Sequence, residues 1–539
     1  MSGATPTPAW APDRQGALQT IARNVSTRYL SIIADMAIGL SLLPFNLAYL
    51  GKSDYGLWVL LGSLTMHMSA FELGTNALVK FMAQYRAQTN ARAINEIAST
   101  VFITFTAVAL IAYALLMGAA FNLEHLFELT ADQAVVGQWI LLLIGLHVAL
   151  NIPFGVYGAV TGGFQRYDIN NLVAIVTSVT AAAVNVAVVL AGYGLIHLVA
   201  ATTLVRMSAY LMYRINAYRV FPELRISPRL FRMSRLKEVM GFSIYMTGID
   251  WANRLNYQLD EVVIGAFLGP AAVAVWAPAE RIVSGVQRLT NQVNGVLFPL
   301  IVDSDTTNQH TRLQQILLEG TRLSLAMVIP MAAAIFVLAD PLIRAWLGSG
   351  ADAVAGAIPV LQILSIAVAI RVGDATSTTL LKGAGSHKLV AGVNLAAGLV
   401  NVALSALLIM PFGLIGVAYG TLIPIGCAAA FVLFPAACRR VGVPVGHAFM
   451  HAVVPAVWPA VAAGGVLVFA RTHVPSTLWG VLLASGAAAL VYLVLFIGVA
   501  ISPRERSFYL EKAKQIFERR PKAPGTPAAP VASAVARGQ

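Results

Sequence analysis

The chain has 539 residues, of which 58% are hydrophobic and only 11% are charged, and its mean hydropathy is +0.74. Soluble domains carry roughly 25% charged residues, so this composition excludes a soluble globular protein and indicates a protein of the lipid bilayer. The net charge of +12 would suit a nucleic-acid partner, but in a membrane protein such an excess belongs in the cytoplasmic loops. No nucleic-acid partner is therefore predicted.

Apolar runs follow one another along the chain, each about 20 residues long or a little longer, which is the length that a helix needs to cross a ~30 Å hydrocarbon core. They lie at 28–50, 55–79, 97–121, 134–161, 171–191, 195–213, 240–266, 271–300, 319–340, 355–381, 389–410, 414–437, 449–470 and 476–501. The connections are short except for 214–239 and the tail from residue 502. This pattern predicts an all-α polytopic membrane protein with about 14 transmembrane helices.

The basic residues lie in alternate loops. The loops on one side of the predicted membrane, together with both chain ends, hold 27 Lys and Arg residues, whereas the opposite loops hold only Lys52, Arg344 and Arg471. Because cytoplasmic loops carry the excess of Lys and Arg, we predict that both termini and the 214–239 loop are cytoplasmic. The expected location is the bacterial cytoplasmic (inner) membrane, crossed many times.

The sequence contains an internal repeat. Matching residues recur at offsets between 216 and 219: Leu50-Gly51 with Leu268-Gly269, Trp58 with Trp276, Asn76 with Asn294, NVA at 185–187 with 401–403, GLI at 194–196 with 413–415, and Thr203-Leu204 with Thr421-Leu422. Each unit holds six spans, an even number, so the two copies should share one orientation and be related by an axis along the membrane normal. The last two spans are an addition outside the repeat.

These patterns predict the domain organisation. The segments are a cytoplasmic N-terminal tail at 1–24, a first six-helix bundle at 25–221, a basic cytoplasmic linker at 222–239, a second six-helix bundle at 240–438, two extra transmembrane helices at 439–501, and a basic, partly disordered cytoplasmic tail at 502–539.

Polar residues form helical stripes on the first two spans of each repeat. The stripes are Asp35, Gly39 and Asn46 on span 1; Thr65, Ser69, Glu72, Asn76 and Lys80 on span 2; Asp250, Arg254, Tyr257 and Glu261 on span 7; and Glu280, Ser284, Gln287, Asn291 and Asn294 on span 8, with Arg281 and Arg288 beside them. Residues at these spacings share one helix face. Four polar faces at membrane depth predict a water-filled cavity between the repeats. The alternative is that the residues pair privately and hold helices together.

Catalytic and cofactor-binding motifs are missing from the sequence. It contains no Walker A loop, GxSxG, HExxH or GxGxxG. The DSD at 303–305 lies in a short loop and predicts no metal site. We therefore expect a protein that is not an enzyme and that needs neither a metal nor a cofactor.

The segments YGLWVLLGSL and FELGTNALVKFMAQYRA resemble the second-helix signature of the polysaccharide biosynthesis (oligosaccharide flippase) family. That family belongs to the multidrug/oligosaccharidyl-lipid/polysaccharide exporter superfamily and shares the arrangement of two six-helix bundles plus two C-terminal helices. Its members more often have Asp-Leu-Gly where this chain has Glu72-Leu73-Gly74. The resemblance implies alternating-access transport of a polyprenyl-pyrophosphate-linked oligosaccharide across the cytoplasmic membrane. It also implies membrane lipids, a polysaccharide polymerase and glycosyltransferases as partners.

The residues can then be assigned candidate roles. Arginine suits phosphate because of its planar donor fork, so the candidates for the pyrophosphate are Arg254, Arg281 and Arg288. The candidates for the sugar hydroxyls are Asn76, Gln287, Asn291 and Asn294. Counter-charges, or coupling to a proton or sodium gradient, would come from Asp35, Glu72, Asp250 and Glu261. Two other functions stay open: a multidrug extruder of the same fold, and a polytopic glycan polymerase or ligase.

Overall fold

The computed structural model describes residues 17–66, 75–241, 259–473, 475–501 and 506, and it leaves out the side chains of some helical residues, including 75–76 and 291–296. Every regular element within these ranges is helical. The helices of the first half are α1 Ala17–Met66, α2 Thr75–Ala87, α3 Ala91–Ala120, α4 Leu123–Leu126, α5 Ala131–Gly163, α6 Tyr167–Leu190 and α7 Leu195–Val220.

The helices of the second half are α8 Asp260–Thr306, α9 His310–Val337, α10 Ala339–Leu347, α11 Ala357–Gly383, α12 His387–Phe412, α13 Leu414–Cys427, α14 Phe434–Val441, α15 Val445–Ala448, α16 Val454–His473 and α17 Leu478–Leu495. Short π-helical turns at 428–433, 449–453 and 496–500 continue some of them. The predicted all-α fold is confirmed.

Twelve helices within the described ranges are long and apolar enough to cross a membrane. Two helices are much longer than one crossing needs: α1 has 50 residues and α8 has 47, or about 70–75 Å at 1.5 Å per residue. Each is broken by a non-helical glycine, Gly51 in α1 and Gly269 in α8, and so has the length for two crossings. The count of fourteen stays a prediction.

The helices of the two halves pack in the same pattern. In the first half α3 packs on α5, α5 and α6 on α7, and α6 on α1; in the second half α9 packs on α11, α11 and α12 on α13, and α12 on α8. The two halves meet mainly where α1 packs against α8. The predicted arrangement of two helical repeats is confirmed by this shared packing pattern. The number of spans in each repeat and the domain limits given above stay predictions.

The apolar cores show where the two repeats are joined. A large core takes residues from both repeats, among them Leu57 and Leu123 of the first and Trp276 and Val354 of the second, all nearly fully buried. This shared core lies at the end that holds Gly51 and Gly269, the predicted outer end. At the other end each repeat has its own core, around Met82 in the first and around Leu317 in the second. Among the residues that the structure describes, the repeats therefore share one core at one end and have separate cores at the other.

The two C-terminal helices pack on the second repeat. Helices α16 and α17 lie against each other and against α9, and they share an apolar core with it. The buried Tyr492 hydroxyl donates a hydrogen bond of 2.7 Å to the carbonyl of Ala456. The two extra helices predicted from the sequence are thus attached to the outside of the second repeat.

The linker between the repeats is tied to the start of α3. Asn95 donates to the carbonyl of Glu223 and accepts from the backbone N–H of Arg225, at 2.9 and 2.8 Å. Arg235 donates to Glu238, at 3.1 Å, and lies 3.4 Å from Glu96. The linker predicted from its charge alone is therefore a fixed part of the first repeat.

Candidate functional site

The candidate site lies on the faces of α1 and α8, where the two repeats meet. Arg281 of α8 reaches Gly39 of α1: a Cβ atom on Gly39 would lie 2.9 Å from Nη2 of Arg281. Only a residue without a side chain leaves this space for the guanidinium group. The Arg281 side chain is nevertheless not buried in the protein, so a charged donor fork stands at the junction of the two repeats.

Two carboxylates accompany Arg281. Glu261, in the first turns of α8, is hydrogen-bonded by Ser63 of α1 and lies close to Glu280 and Arg281. Glu280 accepts a hydrogen bond from Ser284, one turn further along α8. Ionised groups at membrane depth are costly unless they face partners or water, and these groups partly compensate one another. Glu261, Glu280 and Arg281 are named the junction cluster below.

Gln287 is also brought to the second repeat's interior. Its Oε1 accepts a hydrogen bond of 3.0 Å from Nη1 of Arg371 on α11. Arg371 is not among the site residues predicted from the sequence, although a charged residue within an apolar span indicates a possible functional site. Further along α11, the Thr378 hydroxyl donates to Asp374 at 2.9 Å. Gln287 is therefore already engaged by a cation in this state of the molecule.

A second hydrogen-bond network surrounds Asp260, and none of its residues is among the site residues predicted from the sequence. Thr421 of α13 donates to Asp260 at 2.9 Å, Asn401 of α12 donates to Thr421 at 3.4 Å, and Ser405 donates to Asn401 at 3.4 Å. Asn401 and Thr421 both belong to the residues that recur between the repeats, and that recurrence was the signal. The recurring polar pair therefore holds an acidic residue next to the junction cluster.

Asp35 interacts with its own repeat, and among the described residues it forms no hydrogen bond to the junction cluster. Its carboxylate accepts a hydrogen bond of 2.8 Å from Ser178 of α6, and Arg206 of α7 lies within electrostatic reach. Asp35 is solvent-exposed. Its place on a water-facing stripe stays a prediction.

The remaining candidates are placed only in part. Arg288 lies on α8, two turns beyond Arg281, and is exposed. Asn76, Asn291 and Asn294 lie in helices, but their side chains are not described, and Glu72, Asp250 and Arg254 lie outside the described residues. Their roles stay predictions. Thr65, the first residue of the span 2 stripe, is only 1% exposed and donates to the carbonyl of Gly62, so it is packed in the protein.

A family model described as polysaccharide biosynthesis protein matches residues 49–355, more than half of the chain. Over 209 residues the chain is 30% identical to the succinoglycan biosynthesis transport protein ExoT of Rhizobium meliloti (strain 1021); this match covers 38% of the chain and 39% of ExoT, well under two thirds of that relative's length.

Solved structures share the fold. The lipid II flippase MurJ in its inward closed conformation is similar with a TM-score of 0.69 at 14% identity, over 88% of this chain and 98% of that one. An inward-facing multidrug resistance MATE family transporter of the MOP superfamily is similar with a TM-score of 0.59 at 16% identity, over 77% and 94%. The match of the family model over more than half of the chain shows that this chain belongs to the polysaccharide biosynthesis protein family.

Proposed function

We propose that this protein is a secondary transporter, a flippase that moves a polyprenyl-pyrophosphate-linked oligosaccharide across the bacterial cytoplasmic membrane for export of a cell-surface polysaccharide. The observation that carries the proposal is the arrangement of the cores: in the described part of the chain the repeats share a core at one end and have separate cores at the other. A protein in this state can admit a large headgroup between the repeats from one side. Alternating access then requires the same repeats to separate at the joined end.

The charges at the junction suit an anionic headgroup with sugars attached. Arg281 and Arg288 are exposed on the same helix, and an arginine fork can bind phosphate oxygens through two parallel hydrogen bonds. Arg254 is the third proposed phosphate ligand. Gln287 and the three asparagines Asn76, Asn291 and Asn294 are proposed to bind sugar hydroxyls, since amides both donate and accept hydrogen bonds.

The acidic residues are proposed to couple transport to a proton or sodium gradient, or to balance the arginines. Glu261 is the best placed of them, because it lies beside both Glu280 and Arg281, so a change in its charge alters the field at the substrate's phosphate. Asp35, Glu72 and Asp250 are the further candidates. The partners proposed for the protein are the lipid-linked substrate, membrane lipids, a polysaccharide polymerase and glycosyltransferases.

A strain that lacks the gene provides the test. We expect it to lose the surface polysaccharide and to accumulate the lipid-linked precursor on the cytoplasmic leaflet, and the wild-type gene should restore export. Complementation with Arg288→Gln should restore little, and with Arg288→Lys only part, because loss of a charge-assisted hydrogen bond costs roughly 1.5–3 kcal/mol, or about 10- to 150-fold in binding. Normal export with Arg254 and Arg288 both changed to Gln would refute the phosphate role.

Arg254 needs a control of its own, because Asp250 precedes it by four residues in the sequence. If Arg254 only neutralises this acid, the double change Asp250→Asn with Arg254→Gln should restore export that Arg254→Gln alone abolishes. If Arg254 binds phosphate, the double variant should stay inactive.

The alternative function is that of a multidrug extruder, and the acidic character of the junction favours it. Glu261 and Glu280 lie near the buried Tyr55, and an acidic, aromatic surface suits organic cations. A gene deletion that raises drug sensitivity while leaving the surface polysaccharide intact would support this alternative. A polymerase or ligase would instead leave the precursor exposed on the outer leaflet in the deletion strain.

A further inference from the structure

A hydrogen bond links the second repeat to the first at the joined end. The indole N–H of Trp346, on the short helix α10 of the second repeat, donates to the backbone carbonyl of Leu40 in the middle of α1, at 2.8 Å. A carbonyl inside a helix is normally occupied by the N–H four residues later. The carbonyl of Leu40 can accept from Trp346 only if this partner within the helix is missing.

Pro44 removes this partner. It stands four residues after Leu40 inside α1, and proline has no N–H to donate, while its ring pushes against the carbonyl at the i−4 position. The carbonyl of Leu40 thus loses its partner within the helix. An unpaired carbonyl within the membrane is costly, and the indole of Trp346 supplies the missing donor.

Trp346 is held in place by the segment around it. Arg344 forms ion pairs with Asp340 at 2.9 Å and with Asp352 at 2.8 Å, which brace the two ends of the segment. Next to these residues on α10, Ile343 and Leu347 are buried in the shared core. The Trp346 indole therefore belongs to a helix of the second repeat that is held by ion pairs and by the core, and it donates to a carbonyl of the first repeat.

We infer that the hydrogen bond between Trp346 and the Leu40 carbonyl is a clasp that keeps the joined end closed and must break when the two repeats separate there. The acceptor in this clasp is the carbonyl whose hydrogen bond within α1 is removed by Pro44. A neighbouring feature opposes it: Asn46 is 3% exposed, and its Oδ1 has no hydrogen-bond partner among the described residues. A buried polar group without a partner disfavours the closed state, and the hydrogen bond of Trp346 acts against this effect.

The experiment measures opening directly by thiol labelling. Cys427 and Cys438 are first changed to Ala, and Ala274→Cys is added as the reporter, since Ala274 is fully buried in the shared core and its backbone lies beside Gly56 of α1. A membrane-impermeant maleimide is applied to right-side-out and to inside-out vesicles without substrate. The labelling rate from the predicted outer face reports how often the joined end opens.

Trp346→Phe keeps an aromatic ring in the core and removes only the N–H. We expect it to accelerate labelling from that face roughly 2- to 13-fold, the range that corresponds to one net hydrogen bond. Pro44→Ala returns an N–H to α1 that competes for the Leu40 carbonyl, so it should accelerate labelling as well. The double variant should be no faster than the faster single variant, because both changes act on one acceptor. The matched control is Trp479→Phe, on the 77% exposed tryptophan of α17, which should leave the rate unchanged.

An unchanged rate with Trp346→Phe, together with a faster rate with Trp346→Ala, would assign Trp346 to packing alone and overturn the clasp. An equal acceleration by Trp479→Phe would overturn it too, because it would indicate general loosening. The inference rests on the proposed function only in that the repeats must separate at this end. Because labelling is read without substrate, its outcome is independent of which compound the protein exports.

Discussion

Gly51 and Gly269 have the same unusual backbone conformation, φ 74° and ψ 173° in one and φ 73° and ψ 176° in the other. They stand 218 residues apart, each after a leucine, and each breaks one of the two long helices that join the repeats. This region of the φ/ψ map is essentially reserved for glycine. The internal duplication seen in the sequence thus extends to a backbone turn that no other residue type adopts without strain.

Gly51→Ala and Gly269→Ala should each destabilise the protein by about 1–3 kcal/mol, the cost of placing a side chain in this region. The two losses should be similar, because a Cβ on Gly269 would make only a contact of 3.4 Å with the carbonyl of Glu128 and nothing lies within 4 Å at Gly51. The measurement is thermal unfolding in detergent. The matched control is Gly62→Ala in the same helix, with open space around it; it should stabilise slightly, since alanine favours a helix by roughly 0.5–1 kcal/mol.

Gly39→Ala should lower transport with little effect on folding. The new Cβ would displace the guanidinium group of Arg281, which is the mobile end of a long side chain, so the fold can adapt. We expect roughly a five-fold loss of export, equivalent to about 1 kcal/mol of misplaced interaction. Gly285→Ala on α8 is the control, because its Cβ would make only an ordinary contact of 3.5 Å with Met36.

A double variant separates the roles of these two residues. If Gly39→Ala acts through Arg281, adding it to Arg281→Gln should cause no further loss, because the group that it displaces is gone. Additive losses would instead show that Gly39 acts on the packing of α1 against α8.

Glu96→Gln should loosen the linker between the repeats. Glu96 is nearly buried and lies 3.1 Å from Arg92, 3.4 Å from Arg235 and 4.0 Å from Arg232, so its neutralisation leaves three cations without their shared acid. We expect a loss of about 1–3 kcal/mol of stability, allowing for the partial exposure of the arginines, and faster proteolysis within 221–239. Arg92→Gln is the control, since this exposed helix pair contributes only about 0.3–0.5 kcal/mol.

A rise in pH from about 10 to 12 should destabilise the contacts that hold the same linker. Tyr85 donates to Glu238 and accepts from Arg235, both at 2.6 Å. Burial and the hydrogen bond to Glu238 raise the pKa of Tyr85 from 10.0 to about 12. The stabilisation from its protonated form is therefore complete below pH 10 and is lost as the pH rises toward 12. Proteolysis of the linker at pH 9 and pH 11 should differ in the wild type and should not differ in Tyr85→Phe.

Reporter fusions at residues 128, 230 and 345 test the orientation of the protein. The distribution of Lys and Arg predicts outside, inside and outside for these three positions. A reporter that is active only in the cytoplasm should work at 230 alone, and one that is active only outside should work at 128 and 345. An inside signal at 128 or 345 would contradict the assignment of the spans.

The sequence by itself determined the class of fold, the repeat and the helices that carry charge. These are local properties: the bilayer sets the length of an apolar run, and helical spacing decides which residues share a face. Thr65 shows what helical spacing alone does not predict. It has the spacing of a cavity-lining residue but is packed in the protein, because periodicity defines a face and not what covers it.

Only the tertiary structure decided which charged and polar groups meet. Arg281 lies on Gly39, Arg371 reaches Gln287, and Trp346 reaches the carbonyl of Leu40 across 306 positions of the chain. Lipid tails are as apolar as the helix surfaces, so hydrophobicity does not select which helices pack together in a membrane. Close packing and individual hydrogen bonds make that selection, and they depend on side-chain shapes that are distant in the sequence.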